Sequence, residues 1–495
     1  MLAVVLRALA VCIVWMLSYY LAPFWPPMPQ LCYPKEPARL SVRSPRKLEE
    51  PLGEDGIEEV TIKSFVESSC PSLFKPYRPT WWLPNGHFQT AFCVAGDFSG
   101  VDQVVYQRTL LRLQDGGTLG LDFTPPSAEV DLDPKTPIIV VLHGLTGGSH
   151  AEYVRAILAT ACLPKGKGGL GYRAVVVNFR GCAGVPITSP QFYSAGHTDD
   201  LRCALLYISD VYPDAPLLGV GFSLGASVLA NYLGQEGEKS RLRGGCLLAC
   251  PWDLKKNSER LENNFFYRNT YAKAMGNNIF RLFERHLPAL SKMPPSVLTP
   301  HIPLILSIKS TPTLITMDEH FVRLVGGSPP MFPFPCAHDY YRWASSHQRL
   351  SGVRVPLLAL NSKDDPIVWA LPNDEIAGSS HVILGVTQHG GHMGWFEDGG
   401  AFLGRGKRPP RRWMTKPVVE WLGALGEKLV VANLGGGNGE TLKVNARKGV
   451  KKENGFVVDP DEGKRDRVGY RVLDKDEGTE ILEAEEVETV GLKGF

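Results

Sequence analysis

Six short, β-branched, apolar segments, separated by stretches of helical character, constrain this chain more than any other feature. They fall at residues 137–142, 172–177, 216–221, 244–250, 355–360 and 381–386. Each is almost continuously apolar rather than alternating, so each predicts a strand buried on both faces. Strands of that kind joined by crossovers imply a parallel sheet covered by helices on both sides. Ahead of them, 107–113 and 118–123 alternate more regularly and meet across Gln114-Asp115-Gly116-Gly117, which reads as a β-hairpin. A chain of 495 residues can carry one large α/β domain of this type together with extensions.

The flanks differ in character. Residues 8–25 are almost wholly apolar and end at Pro23, Pro26 and Pro27, so residues 1–27 are expected to form an N-terminal membrane anchor. A cleaved signal peptide is the competing reading, but Trp15, Tyr19, Tyr20 and Trp25 suit an interfacial aromatic belt and no clear small-residue cleavage site follows. Residues 28–103 read as a linker and extension, 104–428 as the α/β domain, and 429–495 as a charged, glycine-rich, disordered tail. Between the fourth and fifth of the six strands, 252–352 breaks the repeat with aromatic-rich helical stretches, a natural place for a lid. Lys+Arg 53 against Asp+Glu 51 leaves a net charge of +2, which gives no electrostatic case for nucleic acid as a partner. The ten cysteines are scattered through apolar contexts and read as reduced core thiols.

Four sequence pieces carry chemistry, and each follows one of these strands. Gly221-Phe222-Ser223-Leu224-Gly225 stands between a strand and a plausible helix, 226–233. A serine nucleophile at such a turn adopts a strained backbone, and its neighbours must be glycine where strand and helix converge. His143-Gly144-Leu145-Thr146-Gly147-Gly148 follows the first of the six strands. Acyl transfer needs two backbone N–H groups aimed at an oxyanion, and the amides of Leu145 and Leu224 are assigned to that role. His143 is expected to be a structural ring within its loop. Asn361-Ser362-Lys363-Asp364-Asp365-Pro366 supplies the acid, with Asp364 chosen and Asp365 its rival. His389-Gly390-Gly391-His392 supplies the base, and its flanking glycines favour His392 over His389. Serine, aspartate and histidine in that chain order predict an α/β-hydrolase fold: a mostly parallel central sheet, helices on both faces and a helical lid insertion.

Further strings resemble a known family. Trp81-Trp82-Leu83-Pro84-Asn85-Gly86-His87-Phe88-Gln89-Thr90, Asn178-Phe179-Arg180-Gly181-Cys182, Pro251-Trp252-Asp253-Leu254 and Gly390-Gly391-His392-Met393-Gly394 are similar to those of the abhydrolase family. That family includes bacterial YheT-type hydrolases, animal membrane-anchored phospholipase-type abhydrolases and fungal medium-chain fatty acid ethyl ester synthase/esterases. The resemblance covers about residues 75–425, with Phe123 standing where members usually carry tryptophan. It implies a fatty acyl ester or acyl-CoA substrate, water or an alcohol as acceptor, no cofactor and membrane association. From spacing alone residues 85–90 have no catalytic role and are expected to pack against the domain. The basic run Arg405, Lys407, Arg408, Arg411 and Arg412 suits anionic headgroups or a solvated loop. A serine hydrolase/acyltransferase is the function expected; a membrane phospholipase or lipase, and a non-catalytic membrane-anchored scaffold, are the alternatives.

Overall fold

The computed structural model of the protein describes residues 27–43, 56–397, 410–430, 450–459, 468–474 and 477. A twelve-stranded sheet runs through its centre. Eight of the strands frame the site: β1 (Gln107–Leu113), β2 (Thr118–Thr124), β3 (Ile138–Leu142), β4 (Arg173–Asn178), β5 (Leu217–Phe222), β6 (Gly244–Leu248), β7 (Leu357–Ser362) and β8 (Val382–Thr387). They lie in the order β1-β2-β4-β3-β5-β6-β7-β8. β1 and β2 form the expected antiparallel hairpin, β2 pairs antiparallel with β4, and β4 through β8 are parallel. Placing β4 outside β3 makes the chain wind in both directions from β3. The carboxyl ends of β3 and β5 are thereby neighbours, with Leu142 opposite Gly221.

Every residue of β3, β5, β6, β7 and β8 is buried, because helices cover both faces. One face packs against α4 (Leu224–Glu236) and α3 (Asp199–Val211) in a core that includes Leu142, Val177, Leu205, Leu229 and Leu247. The other packs against α2 (Glu152–Ala161) and α8 (Thr415–Glu427), with Val141, Ile157, Val220 and Trp421 inside. Between β6 and β7 the chain makes a helical insertion containing α5 (Leu254–Asn263), α6 (Lys273–Lys292) and α7 (Ala337–Ala344). Two π-helical turns interrupt it, Arg268–Ala272 and Asp318–Val322.

The described parts of both flanking segments form strands and helices that the sequence did not lead us to expect. The linker reading of 28–103 is corrected: Gln30–Cys32 adds an antiparallel strand to β8, and Arg39–Arg43 pairs with Ile57–Thr61. The helix Ile62–Ser69 buries Ile62, Phe65, Val66 and Ser69, and Phe65 meets Trp421 edge-on at 5.6 Å. That single stripe of apolar residues is enough to dock one helix turn after turn, although in sequence it is only two short runs. The disordered-tail reading of 429–495 is corrected for its described parts. Gly469–Val472 pairs with β1, Phe456–Val458 pairs with Gly469–Val472, and Lys451–Glu453 closes the series. Their order comes from this pairing and from contacts such as Tyr470 Oη donating to Asp210 at 2.7 Å. Among the described residues no helix is long and apolar enough to cross a membrane, and the anchor expected over residues 1–27 lies, apart from Pro27, outside them.

Candidate active site

Ser223 connects β5 directly to α4 with φ +50° and ψ −116°, a left-handed conformation that a side chain rarely adopts. The glycines on either side have a steric reason. A Cβ on Gly221 would stand 2.6 Å from Ala226 Cα, and one on Gly225 would stand 2.3 Å from the Leu142 carbonyl oxygen. The Ser223 amide donates to Leu248 O at 2.8 Å, which ties the turn to β6.

His392 reaches this serine. Its Nε2 lies 2.8 Å from Ser223 Oγ and its Nδ1 lies 2.8 Å from Asp365 Oδ2. Asp365 is completely buried, and its other oxygen accepts from the amides of Ile367 (2.8 Å) and Val368 (2.9 Å). A carboxylate held by two amides is fixed in orientation, and facing Nδ1 it accepts the proton there and leaves Nε2 to accept from the serine.

The choice of Asp364 is therefore corrected. Its Oδ2 faces His389 Nδ1 at 3.1 Å, and its Oδ1 accepts from the Gly391 amide and the Ser362 hydroxyl. Burial alone would raise this carboxyl; the His389, Gly391 and Ser362 hydrogen bonds outweigh it and hold it below its ordinary value. Neighbouring aspartates thus serve different histidines, because consecutive side chains leaving the end of β7 point in different directions. His392 stands where expected, beside the serine.

Leu145 and Leu224 flank Ser223 in the lining of one cavity. Leu224 is the first residue of α4, where backbone N–H groups have no acceptor within the helix. Around Leu145 the neighbouring amides are engaged, Gly144 with Tyr153 Oη at 3.0 Å and Thr146 with Tyr193 Oη at 3.2 Å. The loop is braced further by Ser149, whose amide donates to Asn178 and whose hydroxyl donates to Asp122. His143 is a neutral buried ring in this loop: Nδ1 faces Gly144 O at 2.7 Å, Nε2 accepts from the Phe179 amide at 3.1 Å, and burial lowers its pKa to about 4.

The remaining motifs prove to hold the site in place, a role their spacing does not disclose. Thr90 Oγ1 donates to Gly86 O and accepts from the His392 amide at 2.8 Å. Gln89 accepts from the Phe396 amide, and a Cβ on Gly86 would lie 1.9 Å from the Asp364 carbonyl oxygen. The helix α1 (Gly86–Ala95) thus clamps both the acid loop and the histidine loop. Trp252 Nε1 donates to Asn361 Oδ1 at 3.0 Å and links the start of the insertion to the acid loop. Arg180, fully buried, is bonded to Asp200 and Asp115. Arg412 is spent inside the protein on Glu152 (3.1 Å) and on the Phe396 ring, which corrects its assignment to headgroups or a solvated loop. Residues 405–408 lie outside the described ones.

Ser223 opens into a cavity walled largely by apolar side chains of the insertion, among them Leu261, Ile279, Leu282, Phe321 and Val322. A serine at a strained turn, a histidine and a carboxylate in one hydrogen-bonded line, and an apolar chamber beside them form a layout able to transfer an acyl group.

The model of the alpha/beta hydrolase family matches residues 139–405. The chain belongs to this family. Among curated relatives of this hydrolase, the monoacylglycerol lipase of Saccharomyces cerevisiae is 29% identical over 417 residues, covering 76% of this chain and 87% of the relative. The medium-chain fatty acid ethyl ester synthase/esterase 2 of the same yeast is 28% identical over 76% of this chain and 92% of its own length. Human phospholipase ABHD3 is 30% identical over 68% of this chain and 78% of its own. The hydrolase therefore has lipases, esterases and phospholipases as relatives.

Proposed function

We propose that this protein is a serine hydrolase of fatty acyl esters in which Ser223 is the nucleophile, His392 the general base and Asp365 the residue that orients it. The observation that carries this reading is the unbroken line Ser223–His392–Asp365, with 2.8 Å at each hydrogen bond, at the wall of an apolar cavity. His392 removes the Ser223 proton as Oγ attacks the ester carbonyl. The amides of Leu145 and Leu224 stabilise the oxyanion that forms. On collapse His392 returns the proton to the leaving alcohol, or to a thiol if the substrate is an acyl thioester, and an acyl-enzyme remains. Water attacks it to release the acid; an alcohol attacking instead gives a new ester. The largely apolar cavity wall suits a long acyl chain, and the named activities of the relatives point to glycerolipids or alkyl esters.

Reaction with a fluorophosphonate probe is the direct test. Wild type should label and Ser223→Ala should not; an unlabelled wild type, or equal labelling of both, refutes the assignment. Incubation with monoacylglycerol, phospholipid, ethyl ester and acyl-CoA, with and without ethanol, followed by mass identification of products, then fixes the donor and acceptor.

A further inference from the structure

The cavity beside Ser223 is not uniformly apolar. Asp318, Tyr341 and Asn257 also line it. Asp318 opens the π-helical turn Asp318–Val322 and is 6% exposed; Tyr341, on α7, donates to its Oδ2 at 2.6 Å. Tyr340, also on α7, is the other titratable group facing it, and among the described residues no lysine, arginine or histidine pairs with the carboxyl. Burial raises the Asp318 carboxyl to about 7, against the opposing effect of the Tyr341 hydrogen bond. Asn257, 4% exposed on α5, uses its Oδ1 to accept from the Trp369 amide, while its Nδ2 is buried with no partner among the described residues.

A chamber built only for a hydrocarbon chain gains nothing from a buried carboxyl without a cation and an amide donor without an acceptor, since both cost stability. Such groups persist where a ligand completes them, and π-helical turns cluster at functional sites. We propose that Asp318, Tyr341 and Asn257 form a polar subsite that binds a neutral hydroxyl group carried by the ester in the cavity. A hydroxyl can donate to the Asp318 carboxylate or accept from its protonated form, and it can accept from Asn257 Nδ2. A ligand carboxylate would be repelled once Asp318 ionises. The hydroxyl has two sources, a hydroxylated acyl chain or the free glycerol hydroxyls of a monoacylglycerol. The proposal rests on the ester-hydrolase reading above.

The test is a ratio of kcat/KM values measured at fixed acyl length. One arm compares the methyl ester of a hydroxylated fatty acid with that of the plain acid; the other compares a monoacylglycerol with the plain methyl ester. At least one hydroxyl-bearing substrate should be favoured about tenfold, the worth of one buried hydrogen bond. Asp318→Leu and Asn257→Leu should collapse that ratio towards one, with fluorophosphonate labelling showing that each variant is folded. In wild type the ratio should rise between pH 6 and 8, because ionised Asp318 penalises a chain that offers it no donor. The isosteric Asp318→Asn should remove that rise, which a purely structural partner for Tyr341 would not do. A ratio near one in both arms for wild type, or a preference unchanged in both leucine variants, overturns the subsite. No turnover of any ester and no probe labelling would instead refute the hydrolase reading itself.

Discussion

Replacing Asp365 by asparagine keeps the shape of the side chain and reverses one hydrogen bond. Asp365 Oδ1 accepts from the Ile367 and Val368 amides, so the asparagine carbonyl must remain there and its NH2 must face His392 Nδ1. That nitrogen then has to accept, the ring proton moves to Nε2, and Nε2 confronts the Ser223 hydroxyl as a donor. The base is lost although every atom is in place. We expect kcat/KM to fall by roughly 10³–10⁴, equivalent to about 4–5.5 kcal/mol of transition-state stabilisation. Asp364→Asn should behave differently. Its Oδ1 can still accept from Gly391 and Ser362, and only the contact with the partly exposed His389 changes. A loss within about threefold is expected, as for other partly exposed pairs. Initial rates on a soluble p-nitrophenyl ester at pH 8, with thermal melts to confirm folding, decide the matter. Equal losses, or a larger loss for Asp364→Asn, would refute the assignment of the acid.

Thr90→Val removes the acceptor of the His392 amide and should cost about 1–3 kcal/mol in urea unfolding, with kcat reduced and KM little changed. An unaltered kcat would mean that α1 does not position the histidine. Ser223→Gly should abolish turnover yet raise stability by about 1 kcal/mol, because glycine adopts φ +50° without strain; a less stable variant counts against stored strain at the turn. His143 and His381 are each lowered from 6.5 to about 4 by burial. Unfolded histidine therefore takes up a proton first, so their contribution is complete above about pH 6.5 and is lost as pH falls towards 4. For His143 alone this amounts to about 3 kcal/mol at the acid end, and urea midpoints that stay level between pH 7 and pH 4 would contradict it.

The sheet was legible because its strands advertise themselves. Residues 137–142, 172–177 and 216–221 were expected, and Ile138–Leu142, Arg173–Asn178 and Leu217–Phe222 are observed, each shifted by a residue or so at its ends. Ser223 and His392 were legible for a related reason, since each lies in a loop after a strand where glycines permit unusual backbone. Asp365 was not separable from Asp364 by pattern. What distinguishes them is which carboxylate meets the amides of residues 367 and 368, and that depends on how the chain turns at Pro366. The same limit hid α1. Gln89 and Thr90 act on Phe396 and His392, some 300 residues away in sequence, through single hydrogen bonds that leave no periodic trace. Asp318 and Asn257 were likewise invisible as a pair, because only the folded insertion brings both to the wall of one chamber.

The strands contributed by the C-terminal segment have a bearing on solubility. Without them β1 would be the last strand on its side of the sheet, offering a full-length row of unpaired N–H and C=O groups, the surface through which sheets of separate molecules join. With them, among the described residues, the sheet instead ends in Lys451-Lys452-Glu453, three exposed charged residues on a strand too short to template another chain. The strands Lys451–Glu453, Phe456–Val458 and Gly469–Val472 thus guard the sheet against edge-to-edge aggregation, and a protein trimmed before residue 451 would surrender that protection.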